Sequence, residues 1–196
     1  MIKRIAGLAL AGGASRRLGG GDKPLLRIGG RSMLERVLEV LAAEAGAVAI
    51  SANGDPGRFA AFGRPVLPDG EFAGSGPLAG VLAGLDWAAG LDAEELLTVP
   101  GDTPFVPAGL AAALAPGPAY AESNAIRHYL VALWPVAVRS ALRSRLSAGG
   151  QRAVGRFAAE IGMRPVEIPA LPRDPFLNVN TPEELAAARA VVEDTA

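Results

Sequence analysis

Hydrophobic positions fall into short apolar runs that alternate with stretches of helical period. Ile5 to Leu10 is an apolar run closed by Gly12-Gly13, the form of a buried parallel strand opening into a loop. Ser32 and Glu35 then stand at capping-box spacing, and Leu34, Val37, Leu38 and Leu41 follow at helical intervals, which predicts a helix with one apolar face. Further strands are expected over Ala47 to Ala52, Pro65 to Pro68 and Glu95 to Val99, and helices over Leu78 to Ala89 and Pro107 to Leu114. Strand and helix in this order predict a doubly wound α/β sheet. From about Ala119 the pattern loosens. Tyr129 to Trp134 and Arg164 to Ile168 read as strands, Val138 to Leu146 and Ala153 to Ile161 as helices. Thr181-Pro182-Glu183-Glu184 combines a capping box with a proline at the first helical position, so a closing helix should bury Leu185, Ala188 and Val192.

Composition narrows what such a sheet is for. A chain of 196 residues, half of them hydrophobic, can bury one sizeable core, and its 25 glycines and 16 prolines punctuate strand ends rather than mark a linker. A single domain over 1–196 is expected. Net charge is −1 and the pI near 5.9, so no general field draws nucleic acid or an anionic membrane, and any anion site must be local. Without cysteine there is no disulfide framework, thiol nucleophile or thiolate metal site, which fits the cytoplasm. Lys3-Arg4 followed by Ile5 to Ala11 imitates a signal peptide, but the run is short and gives way to Arg16-Arg17 and a glycine loop. Nowhere do ~20 uninterrupted apolar residues offer a bilayer span.

In open parallel sheets, ligands sit beyond the carboxyl ends of the strands, so the loops there carry the chemistry. The loop from Leu10 to Lys23 is rich in glycine, which lets backbone N–H groups converge on a phosphate. Arg16, Arg17, Lys23, Arg27 and Arg31 surround it against the single anion Asp22. Only two of the chain's 19 Lys+Arg residues are lysines, Lys3 and Lys23. A compact ammonium kept here suits one phosphate oxygen better than a forked guanidinium does. Taken alone, the stretch also reads as a surface turn with solvated arginines; it is neither a Walker A sequence nor a G-x-G-x-x-G fingerprint. In the second loop, Val99-Pro100-Gly101-Asp102-Thr103-Pro104, the carboxylate at a strand end is either a turn aspartate or a ligand for magnesium bridging phosphates.

These motifs together resemble the guanylyltransferases of molybdenum cofactor maturation. The run Leu10-Ala-Gly-Gly-Ala-Ser-Arg-Arg-Leu-Gly-Gly-Gly-Asp-Lys23 is similar to that family's loop. Gly76-Pro77-Leu78-Ala79-Gly80, Pro100 to Pro104 and Asn178-Val179-Asn180-Thr181-Pro182-Glu183-Glu184-Leu185 follow in family order along nearly the whole chain. The resemblance implies a Rossmann-like three-layer α/β nucleotidyltransferase fold with a mostly parallel central sheet. It implies a GTP-binding part over about 1–115 and an acceptor-binding part over about 116–196. It also implies GTP and molybdopterin as substrates, Mg2+ as cofactor, and transient contact with other maturation proteins as a possible further partnership.

Position by position, the likeness assigns Leu10, Ala11 and Gly12 to the guanine, Gly13 to Arg17 and Lys23 to the phosphates, Asn53, Asp69 and Gly76 to the nucleotide, and Asp102 to the metal. The family often has Asn-Ala-Asn where this chain has Ser51-Ala52-Asn53, so a nucleotide contact is either made by Ser51 or lost. It often has Cys at Gly101, an exchange expected to be neutral, and His-Pro-Leu where His128-Tyr129-Leu130 stand, which leaves that loop's role open, as it does that of Arg152. Asn178 and Asn180 have period-two spacing that would place both amides on one face, towards the acceptor and away from the guanine loop; they also read as turn residues before the Thr181 cap. The chemistry expected is in-line attack by the molybdopterin phosphate, with Lys23, Arg17 and a magnesium ion at Asp102 neutralising charge at the α-phosphorus. A phosphate dianion is already a nucleophile, so His128 need not be a base. A CTP- or UTP-dependent relative and a non-catalytic nucleotide-binding scaffold are the alternatives.

Overall fold

The computed structural model describes residues 4–12, 22–149, 153–170 and 174–193. At its centre lies β1 (Ile5–Leu10), where Ala6, Leu8 and Ala9 have no more than 1% exposure, as expected of a strand covered on both faces. β1 pairs in parallel with β4 (Ala47–Ser51) on one side and with β6 (Glu95–Pro100) on the other. A short hairpin, β2 (Arg27–Ile28) and β3 (Arg31–Ser32), precedes α1 (Met33–Glu44). β5 (Val66–Leu67) joins the edge beside β4. It covers two of the four residues Pro65 to Pro68 because the flanking prolines have no N–H for the ladder.

Beyond β6 the sheet continues with β8 (Ile126–Pro135), β7 (Ala119–Ser123) and β9 (Arg164–Glu167), giving the order β5-β4-β1-β6-β8-β7-β9. Only β8 runs against the others. The sheet is therefore mostly parallel, in line with the expected class, and it crosses both halves of the chain without a break. β7 is the strand that periodicity does not reveal.

Helices cover both faces. α1 and α3 (Leu110–Leu114) pack on one side, where Leu34, Leu41, Ile50, Val99, Leu114 and Leu133 form a core. α2 (Pro77–Gly90), α4 (Arg139–Ser147) and α5 (Val154–Glu160) pack on the other, around Leu8, Leu85, Leu96, Trp134, Leu142 and Phe157. α2 lies close on the sheet through two glycines one turn apart: a Cβ on Gly80 would collide with Ser51 Oγ and one on Gly84 with Leu8. The helix expected from Pro107 starts only at Leu110, because Gly109 is left-handed at φ 79° and cannot be a helical residue. Its free N–H groups are taken by Glu44, which accepts from Leu110 N at 2.9 Å and also from Ala111 N.

A third, smaller core joins the hairpin and the start of α1 to the last helix. α6 (Pro182–Glu193) sets Leu185 and Ala188 against Ile28 and Met33, with Val179 buried among them. The side chain of Val192 lies outside the described residues. Among those residues no helix is long and apolar enough to cross a membrane.

Candidate active site

Strand pairing brings the two predicted loops together. Leu10 lies opposite Pro100, Gly101 N–H donates to Leu10 O at 2.9 Å, and Ala11 N–H donates to Ser51 O at 2.8 Å. The carboxyl ends of β4, β1 and β6 are thus laced side by side where the strand order reverses, the place at which an open α/β sheet holds ligands. Ala11 is buried and Gly12 is exposed above it. Gly13, Arg17 and Arg152 lie outside the described residues.

Lys23 opens a single 3-10 turn, Lys23–Leu25, whose Pro24 is buried against the second loop. A Cβ on Gly101 would come 3.2 Å from Pro24 Cβ, so a cysteine there must push the lysine-bearing turn by a few tenths of an ångström. The exchange at Gly101 is sterically consequential, although neither residue would carry a metal. From this turn Lys23 Nζ donates to Asp102 Oδ2 and, at 2.7 Å, to Asn180 Oδ1. The two side chains of the ion pair are 13% and 22% exposed, accessible enough to meet a ligand yet shielded enough for charge to matter.

Asn180 is therefore tied to the residue that closes the glycine loop, whereas Asn178 lines a separate cavity with His128. The period-two reading of the segment is seen in its exposure: Asn178 and Asn180 are exposed and Val179 is buried. Val179 N–H donates to Asp102 O at 3.3 Å, which fastens the segment to the carboxylate's own backbone. Asn180 is fixed further by Glu184, whose carboxylate accepts from Asn180 N at 2.5 Å and from Thr181 N at 3.0 Å while Thr181 Oγ1 caps Glu184 N.

On the opposite flank Asn53 and Asp69 hold one another, with Asn53 Nδ2 donating to Asp69 Oδ2 at 2.6 Å and Asp69 N donating to Asn53 Oδ1 at 2.9 Å. Ser51 is 3% exposed and lies under Gly80. Its hydroxyl is a packing group between β4 and α2, with Asn53 the exposed amide of the loop. Gly76 precedes α2 at φ 83°, a backbone that favours glycine, and Pro77 starts the helix.

A residue that pattern reading passes over is Arg58. Its Nη1 pairs with Asp22, Nη2 donates to Asn53 O at 2.6 Å, and Nε donates to Asp55 O at 2.9 Å. One guanidinium thereby ties the residue before Lys23 to the Asn53 loop. No local motif announces it, since its partners are an aspartate 36 residues away and two backbone carbonyls.

Beside Asn178, a cavity of about 250 Å³ is lined by Pro100, Thr103, Arg127, His128, Tyr129 and Asn178, among others. His128 Nε2 lies 3.0 Å from Ser123 Oγ, and Ser123 Oγ–H donates to Asp174 Oδ1 at 2.8 Å. Burial pushes the imidazole below its usual range, against the opposing pull of Asp174.

Known proteins resemble this chain along most of its length. The family model described as "MobA-like NTP transferase domain" matches residues 7–161. A molybdenum cofactor guanylyltransferase of Acidiphilium cryptum is 55% identical over 95% of this chain and 94% of that protein. Another, from Rhodopseudomonas palustris, is 47% identical over 94% and 92%. In fold, the chain is similar to the crystal structure of molybdopterin-guanine dinucleotide biosynthesis protein A from Archaeoglobus fulgidus, with TM-score 0.73, 20% identity and coverage of 97% and 99%. With the laced strand ends, the Lys23–Asp102–Asn180 cluster and near-full-length likeness in hand, the chain belongs to the molybdenum cofactor guanylyltransferases.

Proposed function

We propose that this protein transfers GMP from GTP to the phosphate of molybdopterin, releasing pyrophosphate, in the cytoplasm. The observation that carries the reading is the convergence of Lys23, Asp102 and Asn180 at the adjacent ends of β1 and β6. Guanine as the base is supported by the relatives that share about half of the residues and are named guanylyltransferases. The nucleotide lies over Leu10, Ala11 and Gly12, flanked by Asn53, Asp69 and Gly76, and the 1–115 part of the chain supplies these groups. Asn178 and the cavity beside it, from the 116–196 part, receive the acceptor.

Magnesium fits at Asp102: Oδ2 faces Lys23, while Oδ1 has no partner among the described residues, and the carboxylate is a hard oxygen donor. Bound there and to the triphosphate, such an ion would neutralise charge developing at the α-phosphorus. The chain's own residues do the positioning. Lys23 swings its ammonium from Asp102 towards the phosphate, Asn180 Oδ1 steers that ammonium, and Val179 N–H holds the Asp102 backbone in place. Arg17 adds a second cation from the loop.

Purified protein incubated with each of GTP, CTP, ATP and UTP, with magnesium and molybdopterin, should give the guanine dinucleotide alone by mass spectrometry. A cytosine product would make the chain a cytidylyltransferase. Nucleotide binding with no product would leave a scaffold.

A further inference from the structure

Ser123, His128 and Asp174 form a linked set that the transfer chemistry does not use. Asp174 is acceptor-only as a carboxylate, and its Oδ1 takes the Ser123 hydroxyl at 2.8 Å and Phe176 N–H at 2.9 Å. Ser123 is fully buried, so no solvent hydrogen enters the contact. Having given its one proton to Asp174, the hydroxyl can only accept at its 3.0 Å contact with His128 Nε2. The proton between them therefore belongs to the imidazole. Phe176 packs on the ring with centroids 4.9 Å apart and fixes its plane.

We propose that Ser123 and Asp174 lock His128 as its Nε2–H tautomer, so that Nδ1 offers a lone pair to an N–H donor on the acceptor's heterocyclic ring. The inference rests on reading the 250 Å³ cavity, which His128 lines, as the acceptor site. A pterin has adjacent N–H and amino donors of this kind. Burial favours the neutral ring, which alone keeps a free lone pair. The charged neighbours on β7 and β8, Glu122 and Arg127, pair with each other at 3.4 Å. His128 is thus a specificity-determining residue that selects a donor-bearing ring and orients it while the phosphate meets GTP.

This chain has one histidine, so 15N-histidine labelling of untagged protein yields a single imidazole. At pH 7.5 its spectrum should show Nε2 protonated and Nδ1 bare. A proton on Nδ1 overturns the proposal. Molybdopterin should shift the Nδ1 signal as a hydrogen bond forms, and GTP alone should leave it in place; no response to molybdopterin, or an equal response to GTP, also overturns it. His128→Phe keeps a flat ring without a lone pair and should raise the molybdopterin KM about tenfold at unchanged GTP KM, the loss of one hydrogen bond. Asp174→Ala removes the oxygen that takes the Ser123 proton, which frees the hydroxyl to donate to Nε2, and should move the proton to Nδ1 with a similar rise in KM. If the wild type makes no guanine dinucleotide, the proposed function fails on its own, and the titration with molybdopterin still decides the tautomer and its ligand.

Discussion

Asp102 meets a neighbouring ammonium through one oxygen and has no partner for the other among the described residues, so its charge matters more than its shape. Asp102→Asn should abolish GMP transfer while the protein still melts cooperatively; near-normal turnover at limiting magnesium would remove Asp102 from the metal role. Lys23→Ala should cost on the order of a hundredfold in turnover, about 3 kcal/mol for one preorganised charge contact at a transferring phosphoryl group. A change of less than a few-fold would make Lys23 a bystander. These two residues were legible in the sequence because a chain rich in arginine keeps a lysine beside glycines, and because an aspartate follows an apolar strand. Arg58 and the Ser123–His128–Asp174 set were not, since their partners lie 36 and 51 residues apart and meet only through the sheet. His128 also predicts how stability depends on pH. Its folded pKa lies below the usual 6.5, so the unfolded chain binds the proton more readily. The contribution is present above pH 6.5 and is lost as pH falls through the folded value, although Asp174, 3.9 Å away, tempers the loss. Between pH 7.5 and 5.5 the wild-type melting temperature should fall more steeply than that of His128→Phe, and parallel curves would contradict the buried neutral ring.

Two helices begin with the same device and serve different ends. Ser32 Oγ accepts from Glu35 N at 3.1 Å and Glu35 returns a bond to Ser32 N, which holds the Glu35 carboxyl below its ordinary range. Thr181 and Glu184 repeat the pattern, but Glu184 also takes Asn180 N–H. Ser32→Ala should therefore cost about 1 kcal/mol by denaturant titration and leave both KM values alone. Thr181→Ala should cost about the same and in addition raise KM for GTP, because the cap sets where Asn180 meets Lys23. Equal kinetics in the two variants would deny the second cap a part in the site. Both caps, β1, β6 and α2 were readable because each rests on local signals. β7 was not: Ala-Tyr-Ala-Glu-Ser has no clear apolar alternation, and it is a strand because β8 and β9 flank it.

One sheet binds the earlier and later parts of the chain, since β6 is hydrogen-bonded to β8. A doubly wound sheet was predictable from the order of runs, but its reversed strand was not, because strand direction is set by connections rather than by pattern. The smallest of the three cores has a bearing on how this scaffold can change. The stretch bearing Asn178 and Asn180 is secured by Val179, through Asp102 O and a pocket of Ile28 and Met33. Of the two side chains that flank it, Asn178 is free of that fastening, as a key's teeth are free of its bow, whereas Asn180 is held by Lys23 Nζ at 2.7 Å. New contacts in the cavity that Asn178 lines can therefore be grafted at that one position, leaving the Lys23–Asp102 pair untouched.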